Sequence, residues 1–123
     1  MSYSLSLEIA YRPTDANRMR GKHWTGTKKL FDSIKQEVYY SSLGKTPPSP
    51  LTAFKISITR LGVKFLDWDN FVSSLKPVID GLTLAKIIKD DKWEYIKNIE
   101  LDQIKSKESK LRISVIERVE NEA

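Results

Sequence analysis

Polar and apolar residues alternate along several stretches of the chain, the pattern of strands with one buried face. The alternation covers Ser4 to Tyr11, Ala53 to Leu61 and Lys110 to Arg118, and Trp93 to Lys105 is predicted to be mostly extended as well. Each stretch is therefore predicted to be a strand. The last two strands are separated only by Ser106 to Ser109, which predicts that they pair as a hairpin.

A long helix is predicted between the first and second strands, because apolar residues recur there at helical spacing. The repeat runs from Leu30 to Val38, and Thr25 or Thr27 would serve as the N-cap. Gly44 and the prolines that follow it end the helix.

A second helix is predicted over Asn70 to Leu84, with Asp69 as its plausible N-cap. Pro77 lies inside this stretch, where a proline removes a backbone donor and clashes with the preceding turn. The helix therefore either kinks, or ends and restarts with Pro77 in the first turn of a new helix. The elements together predict one α+β domain over residues 1–123, with a mixed or antiparallel sheet and two main helices.

The composition is that of a basic chain without cysteine. Of its 123 residues, 21 are Lys or Arg and 16 are Asp or Glu, which gives a net charge of +5 and favours a polyanionic partner such as nucleic acid. The absence of Cys excludes a thiolate zinc site. No secretory signal and no apolar run of about 20 residues is seen, so no membrane association and a cytoplasmic location are expected.

Two pairs of acidic residues are the candidate chemistry. Asp67 and Asp69 follow the second strand, and in an extended segment residues two apart point to the same face. Carboxylates held that close need a cation or a raised pKa, and hard oxygen ligands suit Mg²⁺ or Mn²⁺. Asp91, in the pair with Asp90, completes a site if the next strand lies beside the one before Asp67. The alternative is a helix cap and a solvated acidic turn.

Lys76 follows Asp69 by seven residues, near enough in sequence to belong to the same site. Its ammonium group could hold a scissile phosphate or stabilise the transition state. The alternative is an exposed helix lysine that pairs with Asp80, four residues further along.

The segment from Arg12 to Lys29 is strongly basic and is predicted to be a loop in its first part. Its side chains would contact phosphates, which position DNA without reading its sequence and make binding salt-dependent. Trp24 could stack on an unpaired base or pack at the core. Trp68, between two acids, is expected to point away from them, into the core or a dimer interface. The candidate DNA contacts are Arg12, Asn17, Arg18, Arg20, Lys22, Lys28 and Lys29.

The order of three motifs is more specific than any of them alone. They are Asp67-Trp68-Asp69-Asn70, Lys76-Pro77-Val78-Ile79-Asp80-Gly81-Leu82 and Ile88-Lys89-Asp90-Asp91. This order resembles the signature of the RusA family of Holliday junction resolvases, which are crossover junction endodeoxyribonucleases of bacteria and phages. The resemblance is strong between the first and last motifs, and the size and element order of the whole chain also fit a RusA-like fold.

The resemblance implies a Mg²⁺-dependent endonuclease, with Mn²⁺ as a possible substitute, that resolves four-way DNA junctions by paired nicks in recombination and repair. It implies that Asp67, Asp69 and Asp91 bind the metal and that Lys76 assists catalysis. It also implies a homodimer in the cytoplasm of a bacterial or phage-infected cell. A two-fold dimer would present two equivalent sites to a junction that has two-fold symmetry itself.

The spacing before Lys76 departs from the family pattern. Two residues usually separate the Asp-Asn pair from the lysine, whereas residues 71–75 intervene here, and an ungapped alignment places Ser73 at the lysine position. Two other functions therefore stay open. One is a nucleic-acid-binding protein of the same fold without catalysis, and the other is a nuclease that acts on another branched DNA or on RNA.

Overall fold

Strands and helices alternate along the described part of the chain. The computed structural model describes residues 2–11 and 24–118, with the backbone alone for residues 24–27. The elements in order are β1 (Ser4–Ala10), α1 (Trp24–Ser41), β2 (Phe54–Gly62), α2 (Trp68–Ser73), α3 (Leu75–Leu84), β3 (Ile96–Lys105) and β4 (Lys110–Glu117). The α+β class, the mixed sheet and the two main helices, α1 and α3, are confirmed. α1 begins at Trp24, so neither Thr25 nor Thr27 is its N-cap.

The strands form one four-stranded sheet in the order β1-β4-β2-β3. β4 is antiparallel to both of its neighbours, whereas β2 and β3 are parallel. The predicted hairpin between β3 and β4 is therefore wrong, because β2 lies between them. The turn passes the end of β2, where the backbone N–H of Ser106 donates to the carbonyl of Gly62 at 2.8 Å. Strands two places apart are separated by only about 10 Å, which a short turn can span.

One face of the sheet carries the core. β1 alternates between exposed and buried residues along its whole length, as a strand with one solvated face should. α1 contacts β1 and α3 on the buried side. The largest fully buried side chains are Phe54, Phe71, Ile34, Ile56, Ile58, Leu82, Ile87, Ile88, Leu111, Ile113, Val38 and Val78.

The second predicted helix is broken at Ser74, which separates α2 from α3. Pro77 then lies in the first turn of α3, where the missing backbone N–H costs no helical hydrogen bond. Of the two alternatives, the break is thus confirmed and the kink is wrong. Asp69 is not the N-cap either, because α2 begins at Trp68 and Asp67 is the residue before it.

Candidate functional site

The first acidic pair lies where the chain passes from the end of β2 into α2. Asp67 has an extended backbone, with φ −60° and ψ 151°, whereas Asp69 is already in the first turn of the helix. Residues two apart point to the same face only in an extended chain. The prediction that Asp67 and Asp69 share one face is therefore wrong. Both residues are exposed.

Lys76 and Asp91 are brought together, although 15 residues separate them in sequence. The Lys76 Nζ lies 3.3 Å from Asp91 Oδ2 and 3.1 Å from Asp80 Oδ1. The ammonium group therefore bridges a carboxylate of its own helix and one from the connection to β3. The turn that carries Asp91 is shaped by its backbone N–H, which donates to the side chain of Asp90 at 2.8 Å.

These contacts shift the pKa values of both partners in the direction that favours their charged forms. Hydrogen bonds with Asp80 and then with Asp91 raise the pKa of Lys76 above its ordinary value. Side-chain hydrogen bonding with Asp90, followed by that with Lys76, lowers the pKa of Asp91. Because the Lys76 side chain is 64% exposed, water screens the attraction and the pairs add little stability.

The expected metal ligands are not assembled into a preformed site. Within residues 2–11 and 24–118, no three His, Cys, Asp or Glu side chains are grouped so that they could hold a metal ion. Asp67 follows the carboxyl end of β2, whereas Asp91 precedes the amino end of β3, and these strands are parallel. Strand pairing therefore does not bring the two acids together, and the cation beside Asp91 is the Lys76 ammonium. Metal binding by Asp67, Asp69 and Asp91 stays a prediction.

Most of the predicted DNA contacts lie outside the described residues, namely Arg12, Asn17, Arg18, Arg20 and Lys22. Lys28 and Lys29 are in the first half of α1 and both are exposed. The side chain of Trp24 is also outside the described part of the chain. Phosphate binding by these residues stays a prediction.

Trp68 is 71% exposed, so of its two predicted places the core is wrong, and the dimer interface stays a prediction. It lines one wall of an open groove of about 480 Å³ beside β3. Phe65 lines the same groove and is also exposed, and the Lys105 Nζ lies 5.1 Å from the centre of its ring. The first turn of α2 thus presents an aromatic side chain and two carboxylates to solvent.

A polar cluster behind the first acidic pair was missed by sequence reasoning. The Gln103 Oε1 on β3 accepts from the Leu66 backbone N–H at 2.8 Å and from Arg60 Nη1 at 3.0 Å. The Gln103 Nε2 donates to the Leu66 carbonyl at 3.1 Å. Arg60 Nη1 also donates to the Lys64 carbonyl at 2.6 Å. One side chain therefore contacts both polar groups of the residue before Asp67.

The cluster includes a buried cation. Arg60 is only 4% exposed, its guanidinium lies 5.9 Å from the centre of the Tyr11 ring, and burial lowers its pKa. A signal of this was available in the sequence, because Arg60 continues the inward series of Phe54, Ile56 and Ile58. A charged residue in the buried register of a strand points to a specific polar environment.

Comparison with known proteins gives this chain no family. No family model matches it, and no curated protein is similar to it at a significant level. No helix in the described part of the chain is long and apolar enough to cross a membrane. The fold and the site define a small single-domain α+β protein with a four-stranded mixed sheet and exposed acidic groups.

Proposed function

We propose that the protein is a metal-dependent endonuclease that acts on branched DNA, with the four-way junction as its substrate. The observation that supports this most is the contact between Lys76 and Asp91. Both residues belong to the RusA-like motifs, Lys76 on α3 and Asp91 in the connection to β3. Their meeting is what a shared site requires.

Each residue has a role in this proposal. Asp67, Asp69 and Asp91 are the proposed ligands of Mg²⁺ or Mn²⁺, which would supply an activated water and neutralise charge on the phosphodiester when bound. Because these acids are not grouped in the observed arrangement, the ligand set has to assemble when metal and DNA bind. Lys76 would exchange a carboxylate partner for a phosphate oxygen, as its exposed position allows.

Homodimer formation and the DNA contacts of the basic segment belong to the same proposal. The positive net charge supports a polyanionic partner, and two-fold symmetry would match paired nicks on a junction. Lys28 and Lys29, exposed on α1, are the described residues of the proposed DNA-binding set.

A second candidate function is junction binding without cleavage. One observation favours it: no three acidic, His or Cys side chains of the described residues are grouped so that they could hold a metal ion. A nuclease that acts on another branched DNA or on RNA would have the same residues, and substrate comparison separates it from a junction resolvase.

The experiment is cleavage of a labelled four-way junction and a matched linear duplex in Mg²⁺, Mn²⁺ or EDTA. Wild type is compared with Asp91→Asn and with Asp32→Asn, an exposed acid on α1 that serves as the control. We expect metal-dependent nicks in the junction alone, reduced about 100-fold in Asp91→Asn, because even indirect partners of a metal cost 10- to 100-fold. The control should cleave normally.

Two results would contradict this function. Binding of the junction with no nick in either metal supports the non-catalytic candidate. Equal or faster cleavage of a flap or an RNA substrate supports a nuclease of different specificity. Sedimentation of the protein with and without junction tests the proposed dimer.

A further inference from the structure

The segment that leads into α2 is attached to the sheet by a side chain. Pairing of β2 with β3 ends at Gly62, and the chain then leaves the sheet through residues 63–66. Both backbone polar groups of Leu66 are satisfied by the Gln103 amide, which accepts from its N–H and donates to its carbonyl. The Gln103 side-chain amide thus makes the two hydrogen bonds that the backbone of a neighbouring strand would otherwise make to Leu66.

Arg60 holds the same segment from the other side. Its Nη1 donates to the carbonyl of Lys64, two residues before Leu66. The same nitrogen also donates to the Gln103 side-chain oxygen that accepts from Leu66. Among the described residues Arg60 has no carboxylate partner, and its Nε has no hydrogen-bond partner. A buried charge left with so few partners is unfavourable, and such arrangements persist where they fix a local conformation.

Asp67 is next in the chain and depends on these contacts for its place. Its own side chain makes no cap hydrogen bond to the described residues of α2. Its backbone carbonyl accepts from the Phe71 N–H at 3.0 Å, and the preceding peptide is fixed by Gln103. Among the described residues the carboxylate thus has no cap hydrogen bond that a ligand would have to displace, while the backbone that carries it is held at both ends.

We infer that Gln103 is a positioning residue of the proposed nuclease, which fixes the Leu66 peptide and thereby the point at which Asp67 enters α2. This role rests on the proposed function. Gln103 does not touch substrate in it, and it acts only through the segment that it holds. Arg60 supports Gln103 by orienting the amide oxygen from within the core.

The test uses three variants of the full chain. Gln103→Leu removes all three hydrogen bonds of the amide. Gln103→Glu keeps the two bonds that its oxygen accepts, from Leu66 and Arg60. It replaces the donor to the Leu66 carbonyl by an acceptor oxygen and adds a negative charge beside Arg60, which can pair with the guanidinium. Ile113→Val, a buried truncation on β4, is the control for a general loss of stability.

Three measurements are made on each variant. They are the single-turnover rate of junction cleavage in Mg²⁺, the dissociation constant for the junction in EDTA, and the hydrogen exchange rate of the Leu66 amide by NMR. We expect Gln103→Leu to cleave about 10- to 100-fold more slowly, the range found for residues that orient ligands. Its junction affinity should stay within about twofold, because phosphate contacts carry binding.

Exchange at Leu66 should accelerate in Gln103→Leu and stay slow in Gln103→Glu, which should also recover most of the cleavage rate. Two results would overturn the role of Gln103 alone: wild-type cleavage by Gln103→Leu, or a joint fall of binding and cleavage that Ile113→Val reproduces. If wild type cleaves no substrate, the proposed function fails and the role of Gln103 fails with it. This result differs from the two above, in which wild type cleaves the junction.

Discussion

Gly81 is a position at which α1 and α3 approach each other closely, and Gly81→Ala should therefore destabilise the fold. A methyl group added there would lie 2.7 Å from the Lys35 carbonyl oxygen of α1 and 2.8 Å and 2.9 Å from the Cβ and Cγ1 of Val38. Ordinary contacts between carbon atoms are about 3.5–4.0 Å. The obstructing atoms include backbone and a Cβ, which cannot rotate away.

Two opposing effects set the magnitude. Replacing glycine by alanine inside a helix gains about 1 kcal/mol of helix propensity. Overpacking a close contact costs about 1–3 kcal/mol, and the short distances at Gly81 place the cost in the upper half of that range. The net loss in free energy of unfolding should be about 1–2 kcal/mol, which lowers the melting temperature by about 3–10 °C for a domain of this size.

Urea unfolding followed by circular dichroism measures this loss directly. Thr83→Ala, in the same helix, is the control, because it adds no atoms: it gains helix propensity and loses only the bond that the Thr83 Oγ1 donates to the Ile79 carbonyl at 2.9 Å. A Gly81→Ala variant as stable as wild type or more stable would refute the close contact between α1 and α3. A loss of the same size in both variants would show that the helix, and not its contact with α1, is sensitive.

Two further variants test other local features. Lys76→Met should raise the pKa of Asp91, measured by ¹³C NMR titration, towards its ordinary value of 3.8, because a lowering partner is lost. The pair contributes its full stability above pH 3.8 and loses it as the pH falls through the lowered pKa of Asp91. The variant should therefore lose at most about 1 kcal/mol above pH 3.8, and progressively less below it. Pro77→Ala should lower the free energy of unfolding by about 1–2 kcal/mol, because the buried ring loses apolar contacts and a first turn needs no N–H at that position, whereas a gain of about 3 kcal/mol would indicate an interior proline.

The strands could be predicted from the sequence because alternation is a local property of each segment. β1 and β4 were found within a residue or two of their observed ends. Contacts between residues distant in sequence decide which strands pair. The residue pattern of β3 does not indicate these contacts. Its parallel partner β2 follows from the crossover through α2 and α3, which carries the chain back before β3 begins.

The candidate site was predictable in part for the same reason. The motifs selected Lys76 and Asp91, and the contact between them depends on the turn after α3. The relation of Asp67 to Asp69 depended on where α2 starts, and helix starts are uncertain by one or two residues. If the helix begins one or two residues earlier, the two carboxylates no longer lie on one face of a strand. They then point in different directions around the helix axis.

Two kinds of cation could neutralise Asp91, the Lys76 ammonium group and a divalent metal ion. Asp91 is charged and paired with an internal ammonium group, which is exposed and held by weak, screened contacts. A divalent ion has twice that charge and prefers carboxylate oxygen, so it would compete with Lys76 for Asp91. Lys76 would then be released towards a bound phosphate at the moment when the metal arrives. If the proposed function holds, the ion pair is the arrangement before metal binds, and in a protein that only binds DNA it would persist in the presence of Mg²⁺.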